Sequence, residues 1–294
     1  MSAERLFDQI VIVRWSVASQ PTRGDDSTWR ASVEVGTEFL ECVNNATRIQ
    51  ASRGLVEQLL RRQGRIFVGF DIPFGFPTGF ASRIVNPGAN WRAMWMAIAN
   101  QVVDGAHNDD NRFEAAARLN VRSGMSPGPL WGTPDGESRP SLAAARPDTY
   151  YGMTEFRLTE RRLREAGHEP RPVWQLRGRR APGSLALLGI PFLRALSEHR
   201  ELTRRVRIWP FETGCTTTPT HGALDAIVLG EVWPDVFDVD TSSHQLPDAA
   251  AAIGLAQYLA RLDRAGSLGA LFAPSLTPQQ TQVVEREEGW VLGA

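Results

Sequence analysis

Four carboxylates stand where chain geometry alone does not call for an acid. Asp71 ends the apolar run RIFVGFD (65–71) and is followed by IPFGFP. Glu212 follows IWPF and precedes Thr213-Gly214, and Glu231 ends AIVLG before Val232-Trp233-Pro234. Asp248 opens a long segment of helical periodicity. Acids at the ends of neighbouring strands and at a helix start can converge on one edge of a sheet. There they could hold Mg²⁺ or Mn²⁺, which prefer oxygen ligands. Two such ions about 4 Å apart activate water and stabilise the leaving oxygen in phosphodiester hydrolysis. Each acid also has a structural reading. Asp248 suits the positive end of a helix dipole, and Asp71 suits the turn at 72–75. Glu212 and Glu231 can pair with arginines. Only the joint pattern argues for a shared polar cleft.

Other chemistries find less support. His107, His168, His199, His221 and His244 are scattered, and no two share an i, i+4 spacing, so a zinc site is not expected. Ser16, Ser19 and Ser27 lack a nucleophile-elbow sequence, and so does GMSPG (124–128). GFDIPFGFPTG is glycine-rich, but it has neither the Walker lysine nor a G-x-G-x-x-G pattern. Cys42 and Cys215 match no metal spacing and read as reduced buried thiols. Most of the nine tryptophans read as core, with some free to line a cleft.

The elements that must position the acids follow from periodicity. IVIVRW reads as a buried strand, STWRASVEV (27–35) as a second, and EFLECVNN (38–45) as a third. SRGLVEQLLRRQG (52–64) has helical spacing and a glycine stop, and RIFVGFD is a fourth strand. Strand, strand, strand, helix, strand predicts an α/β protein in which the fourth strand can run parallel to the first. Segments 90–105, 111–120, 154–167 and 183–200 read as helices, with Pro191 opening a new one and 123–150 as a long loop. Residues of about 75–200 are thus a helical insertion in a single domain spanning 1–294. Strands return in RRVRIWPFETG (204–214) and LDAIVLGEVWPDVF (224–237). A strong helix over 246–266 and a short one over 277–290 close the chain.

Composition sets outer bounds. The 294 residues are 42% hydrophobic and 22% charged, which suits a sizeable core. All 32 basic residues are arginine and the net charge is −1, so a strongly basic nucleic-acid footprint is absent. No apolar run approaches a membrane span, and no leader pattern opens the chain, so a cytoplasmic location without membrane partners is expected.

The motifs VGFDIPFGFPTGFA, NRFEAAARLN, GPLWGTP, FRLTERRL, VWQL, LLGIP, WPFETG, EVWP and EEGWVLG resemble a family of uncharacterised bacterial proteins related to predicted nucleases. Some of its members carry a cobalamin-biosynthesis label. The resemblance spans nearly the whole chain. It implies a ribonuclease H-like mixed sheet with three antiparallel strands, a helix and a parallel strand. Acids are then expected on the first strand, near the fourth strand and on the last core helix. Asp71 and Asp248 match the latter two positions as metal ligands, with Glu212 and Glu231 as further site residues.

Two departures stand out. Relatives read VDWS where this chain reads VRWS, which puts Arg14 at the first-strand acid position. QLRGRRAPGS (175–184) also carries more charge than the glycine-rich segment of relatives. A guanidinium cannot ligate a metal and repels one nearby. Three alternatives follow. Asp25 or Asp26 substitutes for the missing acid. Arg14, with Trp15 and Ser16 beside it, contacts a substrate phosphate. Or Arg14 neutralises Asp71 in a site that binds without cutting. The expected activity is a metal-dependent nuclease or phosphoesterase acting on nucleic acid or nucleotide, impaired to the extent that Arg14 replaces the first-strand acid. The alternatives are a non-catalytic binding protein and a small-molecule hydrolase of cofactor metabolism.

Overall fold

A computed structural model describes residues 5–294; the first four residues, on which part of the leader reading rests, lie outside it. The central strand is β1 (Gln9–Arg14). Its side chains alternate in direction, so Val11 and Val13 enter one core while Ile10 and Ile12 enter another. A strand covered on both faces needs the continuous apolar run seen here. β2 (Thr28–Glu34) pairs antiparallel with β1, setting Arg14 opposite Trp29, and β3 (Leu40–Asn45) pairs antiparallel with β2.

Helix α1 (Arg48–Arg61) then carries the chain over one sheet face. Its start is fixed by Thr47, whose hydroxyl accepts the Gln50 N–H at 3.2 Å. Ala51, Leu55 and Leu59 recur every four residues and are buried. Each buried leucine contributes about 1.5–3 kcal/mol. The crossover makes β4 (Arg65–Phe70) parallel to β1, with Val13 opposite Phe70. β6 (Ala226–Glu231) runs parallel to β4, and the short β5 (Val206–Ile208) runs parallel to β6. The six-stranded mixed sheet has the order β3-β2-β1-β4-β6-β5, which bears out the α/β reading.

Between β4 and β5 the chain builds α2 (Phe80–Ile84), α3 (Trp91–Ala99), α4 (Arg112–Ser123), α5 (Leu158–Glu165) and α6 (Pro182–Ser197). The opposite sheet face is covered by α7 (Pro247–Arg264), which packs on β1 and β2. Its buried Ala249, Ala252, Ala256 and Ala260 keep that face thin enough to lie close to the strands.

Several local expectations change. Pro191 lies inside α6, and Pro182 takes the helix-opening position. Buried Leu187, Leu188, Ile190 and Leu193 hold the helix through the hydrogen bond that Pro191 cannot make. The strand expected over 204–214 is limited to Val206–Ile208, because the chain turns and the Glu212 N–H donates to Ile208 O at 2.7 Å. The closing helix is a capped α8 (Pro278–Val283) followed by a π-helical turn, Val284–Glu288. Both cysteines are free and only half-buried. Among the described residues no helix is long and apolar enough to cross a membrane.

Candidate functional site

Parallel β1 and β4 end at the same sheet edge, and the N-terminus of α7 arrives there from the other face. This placement brings Arg14, Asp71 and Asp248 together. The Asp71 N–H continues the ladder to Val13 O at 3.3 Å, and its Oδ1 accepts the Trp15 N–H at 2.7 Å. That bond fixes the carboxylate beside the strand end. Arg14 lies 3.1 Å from Asp71 Oδ2 through Nη1 and 3.1 Å from Asp248 Oδ1 through Nη2. Asp248 is tied on its other oxygen by the Asp26 N–H at 3.2 Å.

A second guanidinium enters from the segment before α6. Arg180 contacts Asp71 Oδ2 and lies 3.4 Å from Asp248 Oδ1. Its backbone has φ +50°, a left-handed conformation uncommon for a side chain of this size. Neighbouring Arg179 closes the outside, 2.8 Å from Asp26 and 3.7 Å from Asp248. The side chains of Arg14, Arg180, Asp71 and Asp248 are all largely buried.

Burial sets the electrostatics. It lowers the Arg14 pKa, against the opposing pull of Asp248. Burial, and after it the charge of Arg14, brings Arg180 down to about 9. Burial alone would raise Asp248, but Arg180 and Arg14 outweigh it and hold the carboxyl below its ordinary value. Asp248 thus stays ionised because two guanidiniums lie against it.

Two clefts of about 450 Å³ flank this tetrad and share Arg14, Arg171, Arg180 and Asp235. One has apolar walls that include Pro73, Leu163, Leu185 and Trp233. The other is lined by Arg14, Arg171, Arg179 and Arg180 against only Asp235 and Asp248, and the first residues of α7 form its floor. Arg171 donates to the carbonyls of Arg179 and Arg180 at 2.8 and 3.0 Å. Among the described residues it makes no ion pair with a carboxylate.

The other expected site residues fare differently. Glu231 lines the apolar cleft, but both of its oxygens are taken by Arg157, at 2.6 and 2.8 Å, and the Phe74 N–H adds a bond at 2.9 Å. Glu212 lines neither cleft. It pairs with Arg92 and accepts the Ile208 N–H at 2.9 Å. Trp15 is buried and stacks on Phe192 at 5.1 Å, so it is core and not a cleft-lining ring. Ser16 is also buried. Its hydroxyl donates to Asp26 O and accepts the Ala18 N–H, which staples the loop after β1. Asp25 is exposed and Asp26 half-buried, and both face Arg179.

Arg171, Arg179 and Arg180 were not among the expected site residues. The extra charge of QLRGRRAPGS is a signal for Arg179 and Arg180, but not for Arg171, which precedes that segment. Arg157 lies in the segment 154–167, which the sequence marks only as a helix. Among the described residues no group of three or more His, Cys, Asp or Glu side chains is arranged to hold a metal ion. No family model, curated protein or solved structure matches the chain.

Proposed function

We propose that this protein binds a small anionic molecule at a ribonuclease H-like core whose acid pair is neutralised by arginines. Antiparallel β1 to β3, a helix, and β4 parallel to β1 support that core. The observation that carries the reading is the placement of Arg14 and Arg180 between Asp71 and Asp248. The oxygens that would face a divalent ion face guanidiniums instead. An ion placed there would stand within a few ångströms of two positive charges in a site of low effective dielectric. The side chains as they stand do not fit Mg²⁺ or Mn²⁺.

The same arginines suit an anion. The second cleft carries four arginines against two aspartates, and the positive end of α7 adds to that field. Among the described residues Arg171 is the cation there with no carboxylate ion pair. The adjoining cleft offers apolar walls and the Trp233 ring to the rest of the ligand. A nucleoside monophosphate has this combination of ring and anion.

The convergence of Asp71 and Asp248 favours a second reading, the metal-dependent nuclease or phosphoesterase. One set of titrations separates the two. Calorimetry of the whole protein with Mn²⁺, and separately with nucleoside monophosphates, should show nucleotide binding without Mn²⁺ binding. Arg171→Ala should weaken the nucleotide by about tenfold or more, the scale of a lost charged hydrogen bond. Mn²⁺ binding by the native protein, with cleavage that Asp71→Asn abolishes, would establish the second reading instead.

A further inference from the structure

Among the described residues a different arginine makes no ion pair, and two of its nitrogens lack a hydrogen bond. Arg30 lies on β2, on the sheet face covered by α1, and is only 8% exposed. Its Nε and Nη1 are buried without a hydrogen-bond partner, and no ion pair to it exists among the described residues. Burial lowers its pKa, partly offset by the more distant Glu41. A charge taken from water without a partner is unfavourable, so a folded chain keeps one where something else meets it.

The neighbouring helix is shaped around this group. Gly54 sits in the middle of α1, where alanine would favour the helix more. A Cβ at Gly54 would stand 3.2 Å from Arg30 Nη1. The glycine thus leaves room for the guanidinium beside a cavity of about 330 Å³. Gln58 lines the same cavity. Its amide nitrogen donates to Gln9 Oε1 at 3.2 Å and to Ser32 Oγ at 2.9 Å, which leaves Oε1 buried and unpartnered. The other two arginines at the cavity are engaged, Arg61 with Glu57 and Arg62 with Glu34.

Arg30 and Gln58, each with buried atoms that lack a hydrogen-bond partner, therefore line one cavity. We propose that it binds a protonated phosphate group, free or as a small phosphomonoester: the negative oxygens meet Arg30 and the P–OH donates to Gln58 Oε1. The group must carry both charge and a proton, because a fully deprotonated oxyanion would leave Gln58 without a donor. Glu41, exposed at the cavity, opposes the anion. The site lies apart from the Arg14 tetrad and does not rest on the reading of that cleft.

Calorimetric titration of the whole protein with inorganic phosphate, glycerol phosphate and sulfate tests it. Phosphate should bind at a site that survives Arg171→Ala and disappears in Arg30→Met. Glu41→Gln should tighten binding several-fold, and sulfate should bind at least about tenfold more weakly, the scale of one unsatisfied polar group. Glycerol phosphate binding as well as phosphate identifies an ester as an acceptable occupant, whereas binding of phosphate alone identifies the free ion. Arg30→Met replaces an unpaired charge by an apolar stem, so it should unfold at the same or a higher temperature in phosphate-free buffer. The proposal is overturned if phosphate does not bind the native protein, if Arg30→Met binds it unchanged, or if sulfate binds equally well.

Discussion

Asp71 and Asp248 share the Arg14 guanidinium, at 3.1 Å each. The two acids come from a strand end and a helix start on opposite faces of the sheet, so Arg14 also ties α7 to the β1–β4 edge. Arg14→Ala would leave two carboxylates buried with Arg180 as their main neutralising charge. Removing one partner from a buried ion pair costs about 3–5 kcal/mol, and that loss is expected in urea unfolding. Asp71→Asn in the Arg14→Ala background should recover part of it, since contacting residues couple by about 0.5–3 kcal/mol. A loss below about 1 kcal/mol would mean that the pair behaves like an exposed one.

The tetrad also sets opposite pH limits on stability and on binding. Asp248 has a folded pKa below its ordinary value of 3.8. It releases its proton more readily folded than unfolded, so its contribution is fully present above the unfolded pKa and is lost as pH falls through the folded one. Acid unfolding should therefore lose part of its dependence below pH 3.8 in Asp248→Asn. On the alkaline side burial, and after it the charge of Arg14, brings the Arg180 pKa down to about 9, so its charge is the one in the second cleft most sensitive to rising pH. Nucleotide affinity should fall as pH rises through that value, and Arg180→Gln should flatten the decline. Affinity measured from neutral pH to pH 10 checks both.

Glu231 and Glu212 should separate sharply. The Glu231–Arg157 pair is buried and bidentate, and Arg157 also bonds Glu160 and Glu288 O. Arg157→Met should destabilise by about 3–5 kcal/mol because Glu231 and Glu160 lose their common partner. The Glu212–Arg92 pair is exposed on its arginine side, and Arg92→Ala should cost less than about 1 kcal/mol. Glu212→Gln should leave nucleotide binding unchanged, because the residue lines neither cleft. Loss of binding in that variant would return Glu212 to the site.

The sequence carried the sheet because local pattern suffices for it: the apolar run of β1, the four-residue spacing in α1 and the strand end at Asp71 are all short-range signals. Of the acids expected to converge, the structure brings Asp71, at a strand end, and Asp248, at a helix start, to one guanidinium and leaves Glu212 away from both clefts. The sequence could not reveal which acids were already neutralised. Arg157 and Arg180 reach their carboxylates across long chain separations, and Arg180 does so from a left-handed backbone that no hydrophobic period encodes. Trp15 and Ser16 misled for a related reason. A residue at a strand exit can face the core or the cleft, and only the packed Phe192 ring and the Asp26 carbonyl decide that they turn inward.

The segment after Asp71 offers a further test, because two of its glycines are there for different reasons. A Cβ on Gly75 would lie 2.3 Å from the carbonyl oxygens of both Glu287 and Glu288. The segment passes directly beneath the π-helical turn, and only a missing side chain permits that approach. Gly79 has open space around it but φ +99°. Glu287 and Glu288 lock this contact from the other side: Glu287 accepts the Gly79 and Ala81 N–H groups, and Glu288 accepts those of Thr78 and Leu158. Gly75→Ala must therefore move backbone, and it should lose about 3 kcal/mol, the upper end for overpacking. Gly79→Ala meets only conformational strain and should lose about 1–2 kcal/mol. Because Leu292 N–H bonds Glu231 O, displacement at Gly75 should reach the end of β6, and buried Trp290 fluorescence should change in Gly75→Ala but not in Gly79→Ala.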